Sequence, residues 1–240
     1  MSLCTVRLCL RARRSDVAIV LVTLVVCVLV KLHYRSANAA ELRWLLGPTA
    51  ALTGLVTGHE FRFESDAGYV SRELGLAIAP VCAGANYLAI AFAALVSGFV
   101  SRFATLRAKV TWFALCAVVT YVATVLTNSL RIGLSVLCRP LGDALGVAGR
   151  AQVHRVEGVL VYLVSLLVLY AATAAWLREK HRPRASLWLP LGCYLGVTLF
   201  VPLALGARLR GEFAPHALVV LLLSAAVVAL SRLLEYTRRA

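Results

Sequence analysis

Charged residues are scarce in this chain. Of 240 residues, 15% are charged and 61% are hydrophobic, and the mean hydropathy is +0.84. Soluble domains carry about 25% charged residues, so this composition indicates a polytopic membrane protein. Low-complexity tracts and internal repeats are also absent. We therefore expect a single membrane-embedded domain over residues 1–240.

Apolar runs, in contrast, are abundant. Uncharged runs long enough to cross a membrane as a helix occupy residues 74–101, 110–130, 158–177 and 185–207. Shorter or interrupted apolar segments occupy residues 17–34, 42–58 and 216–234. This pattern predicts an all-α bundle of about seven transmembrane helices, with six or eight as alternatives. No small-residue cleavage site closely follows the first segment, so we expect a retained helix rather than a signal peptide.

Acidic residues are few, 11 against 25 Lys and Arg, and the net charge is +14. In a soluble protein this surplus would suggest nucleic acid, but in a membrane protein basic residues collect in the loops. No platform of aromatic and basic residues accompanies the charge. We therefore expect membrane lipid as the surroundings and no nucleic-acid partner. The basic loops are "SRFATLRAKV", "REKHRPR" and the tail "EYTRRA".

Metal-binding patterns are missing among the seven cysteines. Without a CxxC or a paired Cys/His spacing, we expect neither a metal nor a cofactor. Cys27, Cys116 and Cys193 lie deep in apolar runs, where a thiol behaves as a small hydrophobe. Cys82 and Cys138 lie near membrane boundaries, and their spacing alone does not support a disulfide between them.

Three polar residues are expected at one face of the membrane. Cys82 lies near the start of the third span, Arg131 just past the end of the fourth, and His154 just before the fifth. One crossing separates Cys82 from Arg131, and none separates Arg131 from His154. If the third and fourth spans form a hairpin, the three residues share one side of the membrane.

Each of these residue types suits a chemical role. A helix N-terminus favours the nucleophilic thiolate of Cys82 and, at the fifth helix, a neutral His154 that can act as general base. Arg131 presents a rigid fork of donors that suits an oxyanion. Structural interpretations stay open for all three, because boundary cysteines are usually inert and boundary arginines usually reach for headgroups.

Gly84, Asn86 and Asn128 are expected to support this site, and Pro80 precedes the first two in the chain. Pro80 suits a helix start, and Gly84 lets another backbone approach. Asn86 is a polar residue in an otherwise apolar run. Asn128 falls on the same helical face as Arg131 if the helix continues that far, and it would then orient the guanidinium. It is equally compatible with a helix terminator.

Three short motifs on consecutive spans resemble the exosortase/archaeosortase family of membrane-embedded cysteine transpeptidases. They are "CAGAN", "NSLRI" and "HRVEG", and the stretch "GYVSRELGLAIAPVCAGANY" resembles the exosortase K subgroup. The resemblance covers residues 66–165. It implies that Cys82 is the nucleophile and that Arg131 and His154 are the other catalytic residues. One departure is Ala83, where the family forms usually show serine.

The family resemblance implies a thiol protease or transpeptidase of the cell inner membrane, with its active site on the extracytoplasmic side. Its substrates would be exported proteins that end in a short motif, a transmembrane helix and a basic tail. Cleavage would proceed through a thioester acyl-enzyme, and the acceptor nucleophile, water or another group, stays open. The alternatives are a transporter or channel subunit with Arg131 and His154 lining a pathway, and a non-catalytic membrane assembly factor. The chain shows no repeated halves of the kind that many transporters have.

Seven crossings with the active face outside predict an uneven placement of the basic residues near the N-terminus. Lys31, Arg35 and Arg43 are then cytoplasmic, whereas the basic segment "RLCLRARR" falls on the active side. The second placement conflicts with the positive-inside rule. An additional crossing or a misassigned start would remove the conflict.

Overall fold

A computed structural model describes residues 3–144, 146–177, 188–204 and 213–237 of the chain. Within these residues the protein is mostly helical with one small sheet, which confirms the expected all-α class. The elements are α1 (Leu3–Ser36), α2 (Arg43–Thr57), β1 (Arg62–Glu64), β2 (Gly68–Ser71), β3 (Leu76–Ile78), α3 (Ala85–Phe99), α4 (Leu106–Ala144), α5 (Gly146–Trp176), α6 (Trp188–Leu195), α7 (Val201–Ala204) and α8 (Phe213–Thr237). A π-helical turn, Gly196–Phe200, joins α6 to α7. With α6, the π-helical turn and α7 counted as one continuous helix, the described residues form seven helices.

The seven helices differ in length. In the described residues, four segments are long and apolar enough to cross a membrane: Arg13–Ser36, Pro80–Arg102, Leu106–Pro140 and Gln152–Trp176. Two other apolar helices, Trp188–Leu203 and Phe213–Ala229, are shorter. Helix α2 has 15 residues, which span about 22 Å against a hydrocarbon core of about 30 Å. The expected basic loop at 178–184 lies outside the described residues.

Helices α4 and α5 extend beyond the apolar runs that predicted them. Those runs ended at residue 130 and began again at residue 158, whereas α4 continues to Ala144 and α5 begins at Gly146. Arg131 and His154 therefore lie inside helices, and their expected position outside the spans is wrong. Backbone hydrogen bonds do not require apolar side chains, and polar side chains are tolerated in a span where neighbouring helices bond them.

Residues 58–79 were expected to be a loop and the beginning of the third span, but they contain an antiparallel sheet in the order β1-β2-β3. Val70 of β2 pairs with Arg62 of β1, and Tyr69 pairs with Ile78 of β3. Gly68 is required beside this pairing, because its φ is 97° and a Cβ there would lie 2.4 Å from the Ile78 carbonyl oxygen. Strands of three or four residues are too short to give a periodic signal in the sequence.

Helix α3 is the centre of the bundle. Of the 18-residue apolar stretch that defines its candidate span, 72% is buried inside the protein, against 11% for the candidate span of α1. Small residues allow the neighbours to approach closely, since a Cβ on Gly98 would lie 2.6 Å from the Tyr170 hydroxyl oxygen. The core around α3 includes Ile19, Trp112, Leu163, Tyr194 and Val220. Composition could not distinguish this central helix from the peripheral ones, because both kinds are apolar all round.

Helix α1 runs antiparallel to α3. Near the end of α1, the Tyr34 hydroxyl donates to the Val81 carbonyl oxygen at 3.1 Å. Near its start, Asp16 forms an ion pair with Lys109 of α4 at 2.6 Å. We name the two ends of the bundle after these contacts, the Cys82 end and the Lys109 end.

Helix α2 lies alongside α4 and the sheet. At its start the Tyr121 hydroxyl donates to the Trp44 carbonyl oxygen at 2.7 Å. Toward its end, a Cβ on Gly133 would lie 3.7 Å from Val56. Tyr121 lies near the middle of the α4 span and Gly133 toward its Cys82 end, so α2 does not run from one end of the bundle to the other.

This arrangement corrects the expected sides of the basic residues near the N-terminus. The Lys31 ammonium donates to Asn86 Oδ1 at 3.1 Å, and the Arg43 guanidinium lies 4.4 Å from the centroid of the Phe63 ring in the sheet. Lys31, Arg35 and Arg43 therefore lie at the Cys82 end, and the basic start of α1 lies at the Lys109 end. The sequence prediction went wrong because it counted the apolar segment 42–58 as a crossing.

Candidate functional site

Cys82 lies in a short turn ahead of α3. The turn, Pro80–Cys82, is followed by Gly84 with a φ of 76° before the helix begins at Ala85. The thiol is therefore outside the first turn of α3, and its expected activation by that helix N-terminus is not supported, because the dipole effect is confined to the terminal turn. The side chain is partly exposed and the thiol is free.

Asn128 ties the Cys82 turn to α4 and α5. This side chain is fully buried, and its Nδ2 donates to the Cys82 carbonyl oxygen. Its Oδ1 accepts from Arg131 Nε at 3.3 Å and from the Tyr162 hydroxyl at 2.8 Å. One amide thus contacts the guanidinium that it was expected to orient and also holds the backbone of the cysteine.

Arg131 lies beside the Cys82 thiol. Its side chain, in a residue only 7% exposed, interacts electrostatically with the Cys82 thiol. Its Cζ atom lies 5.6 Å from the centroid of the Tyr162 ring. Glu157 acts on it electrostatically, but among the described residues no carboxylate forms an ion pair with it. The result is a buried cation that faces a thiol and has no ion-pair partner within the described chain.

Gly84 allows the Cys82 turn to approach α4 and α5 closely, as expected. A Cβ at this position would lie 3.4 Å from Asn128 Cγ and 3.4 Å from the Tyr162 hydroxyl oxygen. The positive φ would strain any other residue there as well. Asn86 differs, since its side chain is exposed and bonds Lys31.

His154 and Arg131 line one cavity of about 250 Å³, together with Asn86, Tyr194 and His216. The cavity links His154 to the guanidinium, which in turn interacts electrostatically with Cys82. His154 lies about two turns inside α5, so the start of that helix is too far away to favour a neutral imidazole. On its other side, His154 Nδ1 lies 3.2 Å from the Ser135 hydroxyl oxygen.

A second cavity of about 270 Å³ separates the sheet from α4 and α5. It is lined by Leu76 at the start of β3 and by Cys138, His154 and Glu157. Cys138 is a free thiol, not a disulfide partner of Cys82. His154 thus separates two cavities at the Cys82 end. No cluster of three potential metal ligands occurs in the part of the chain that the structure describes.

Sequence reasoning missed Ser135, Tyr162 and the contacts of Glu157. A usable signal was present, because residues 128, 131 and 135 recur at helical spacing on α4, and residues 154, 158 and 162 do so on α5. The prediction ended α4 at residue 130, before Arg131 and Ser135, and began α5 after Glu157. The two polar faces therefore stayed hidden until both helices were seen to continue.

No protein-family model, curated protein or solved structure matches this chain. The class is defined by the fold and the composition: an α-helical protein whose described residues include four helices long and apolar enough to span a membrane.

Proposed function

We propose that this chain is an exosortase-like membrane cysteine protease or transpeptidase that cleaves the C-terminal sorting signal of exported proteins. The observation that carries the proposal is that Asn128 bonds both the Cys82 carbonyl oxygen and the Arg131 guanidinium, which holds this cation within electrostatic reach of the Cys82 thiol. A thiolate is stabilised by an adjacent cation. A buried arginine that forms no ion pair with a carboxylate can also stabilise the negative charge of a tetrahedral intermediate.

The proposed chemistry divides one peptide cleavage into two transfers. The Cys82 thiolate attacks the scissile carbonyl carbon, and the C–N bond breaks as the leaving amine takes a proton from His154. This leaves a thioester on Cys82. An incoming nucleophile, water or an acceptor group, then gives its proton to His154 and attacks the thioester, so the C–S bond breaks and the thiolate is restored. Arg131 donates to the oxyanion in both steps.

The proposed location is the cell inner membrane, with the Cys82 end outside. Basic residues are retained on the cytoplasmic side of membrane proteins. Because α1 runs from the Lys109 end to the Cys82 end, the segment "RLCLRARR" lies at the same end of the bundle as the basic loop around residues 102–109. The conflict that seven crossings created is thereby removed. The sheet at the Cys82 end carries acidic residues, and an exported substrate would contact this sheet before it reaches the membrane.

The Cys82→Ala variant tests the chemistry. We expect it to insert normally and to lose all processing of a tagged candidate substrate, chosen as an exported protein that ends in a motif, an apolar helix and a basic tail. Cys193→Ala serves as the matched control, since that thiol lies among core residues of α6. Wild-type protein should also form a substrate adduct on Cys82 that hydroxylamine releases. Processing that continues in Cys82→Ala would eliminate the cysteine mechanism.

Sidedness is tested with single cysteines in a background that lacks the other thiols. Ser65→Cys in the exposed turn of the sheet should react with an impermeant maleimide added to intact cells, and Ala104→Cys at the Lys109 end should not. Ser36→Cys should follow the Ser65 position, because α1 ends at the Cys82 end. The opposite labelling of the Ser65 and Ala104 positions would place the site in the cytoplasm and make an exported substrate untenable.

A further inference from the structure

Ser135 bridges His154 and Glu157. Its hydroxyl oxygen lies 2.8 Å and 2.7 Å from the two carboxylate oxygens of Glu157, and 3.2 Å from His154 Nδ1. The serine belongs to α4, whereas the histidine and the glutamate lie three residues apart on α5. The contact therefore joins two helices at the wall between the two cavities.

The direction of these hydrogen bonds follows from the donors available. A carboxylate is acceptor-only, so the single proton of the Ser135 hydroxyl is donated to Glu157, the charged and closer partner. The hydroxyl oxygen then has lone pairs left but no proton. The contact with His154 can be a hydrogen bond only if Nδ1 carries a proton and donates it.

We infer that Ser135 and Glu157 are positioning residues that keep the His154 proton on Nδ1, leaving Nε2 as the nitrogen that exchanges protons with substrate. This inference rests on the proposed function, in which His154 shuttles protons. It deepens that function by assigning the reactive ring atom and the groups that select it.

The arrangement serves both protonation states of the imidazole. When His154 is neutral, Nδ1–H bonds Ser135 and Nε2 is a free acceptor. When His154 is charged, Nδ1–H still bonds Ser135, and the Glu157 carboxylate behind the serine stabilises the added positive charge. The charged or titratable groups that line the cavity with His154 include Arg131 from α4, Arg155 from α5 and His216 from α8, and the two arginines cannot accept a proton from Nε2.

Nitrogen NMR of histidine-labelled protein in lipid vesicles tests the inference without any substrate. The chain has 5 histidines, and the His154 resonances are those that disappear in His154→Gln. At a pH that keeps this imidazole neutral, we expect Nδ1 to resonate as a protonated nitrogen and Nε2 as an unprotonated one. A wild-type spectrum with the proton on Nε2 would overturn the inference, whatever the variants show.

Two serine variants separate positioning from packing. Ser135→Thr keeps the hydroxyl and should keep the Nδ1–H form. Ser135→Ala should lower the ratio of Nδ1–H to Nε2–H roughly tenfold. This is the effect of losing one hydrogen bond to a hydroxyl that is itself bonded to a carboxylate. An unchanged ratio in folded Ser135→Ala would contradict the inference. Because no cleavage is measured, this failure is distinct from a failure of Cys82→Ala to stop processing, which would remove the proposed function itself.

Discussion

Two buried cations lie in different parts of the bundle, and their surroundings differ. Lys109 is 1% exposed, forms an ion pair with Asp16 at 2.6 Å and donates to the Ser15 hydroxyl at 2.7 Å. Arg131 is 7% exposed; instead of a carboxylate it bonds an amide, lies near an aromatic ring and interacts electrostatically with a thiol. A carboxylate neutralises the first charge. The second charge has no ion-pair partner among the described residues.

The comparison separates a structural charge from a chemical one. The Lys109 pair links the start of α1 to the start of α4, and a buried ion pair of this kind is costly to break. Arg131 has only partial neutralisation from more distant groups, so its field remains available to a negative charge that develops at Cys82. Burying such a charge is unfavourable for stability, which is the kind of cost that functional sites carry.

Exchanging the two cations gives the largest expected contrast. Arg131→Lys should lower the cleavage rate by about a hundredfold to a thousandfold, because an ammonium cannot bond Asn128 through Nε and also present a second donor to the oxyanion. Lys109→Arg should leave cleavage close to wild type, since the charge and its partner Asp16 remain. The measurement is the processing rate of the tagged substrate by each variant.

Alkylation of Cys82 by a small reagent shows which property of Arg131 matters. If the planar fork binds the oxyanion, Arg131→Lys should keep most of the wild-type alkylation rate, because a positive charge remains near the thiol. If Arg131 only supports the thiolate, alkylation should slow in Arg131→Lys and cleavage should fall only in proportion. The second result would contradict the oxyanion role.

Removing the structural charge should affect stability and not chemistry. Lys109→Leu should lower the free energy of unfolding by about 3 kcal/mol, at the low end of the range for broken buried pairs because Asp16 remains partly exposed. Combining it with Asp16→Leu should restore much of the loss. Thermal unfolding in detergent gives the stability, and Cys82 alkylation at a temperature where the variant is folded should match wild type. A selective loss of Cys82 reactivity would contradict the proposal that Lys109 has only a structural role.

Replacing Asn128 and replacing Asn86 should differ in their effect on stability, and this is the smallest of the expected contrasts. Asn128→Ala leaves the Cys82 carbonyl and the Tyr162 hydroxyl without their partner, and each such loss costs about 1–3 kcal/mol in a buried site. Asn86→Ala removes an exposed bond to Lys31 and should change stability by less than about 0.5 kcal/mol. Unfolding measurements on both variants check this difference. Equal losses would mean that Asn86 takes part in the site more directly than its exposure indicates.

Sequence patterns were sufficient for the coarse arrangement of the site. Cys82, Arg131 and His154 were placed at one end because their positions depend only on counting crossings between neighbouring spans. The same counting failed for Lys31 and Arg43, since one short apolar helix was taken as a crossing. Ser135 and Tyr162 were missed for a different reason: their importance depends on α4 and α5 continuing as paired helices through polar sequence.

By itself the sequence determined which segments are long and apolar enough to span a membrane, because a hydrocarbon core demands long apolar runs wherever a chain crosses it. Only the tertiary structure decided the direction of α1, the short path of α2, the pairing of Lys109 and the lack of an ion pair at Arg131. These features arise from contacts between residues far apart in the chain, such as Asp16 with Lys109, and no local pattern of hydrophobicity encodes which distant group a buried charge will meet.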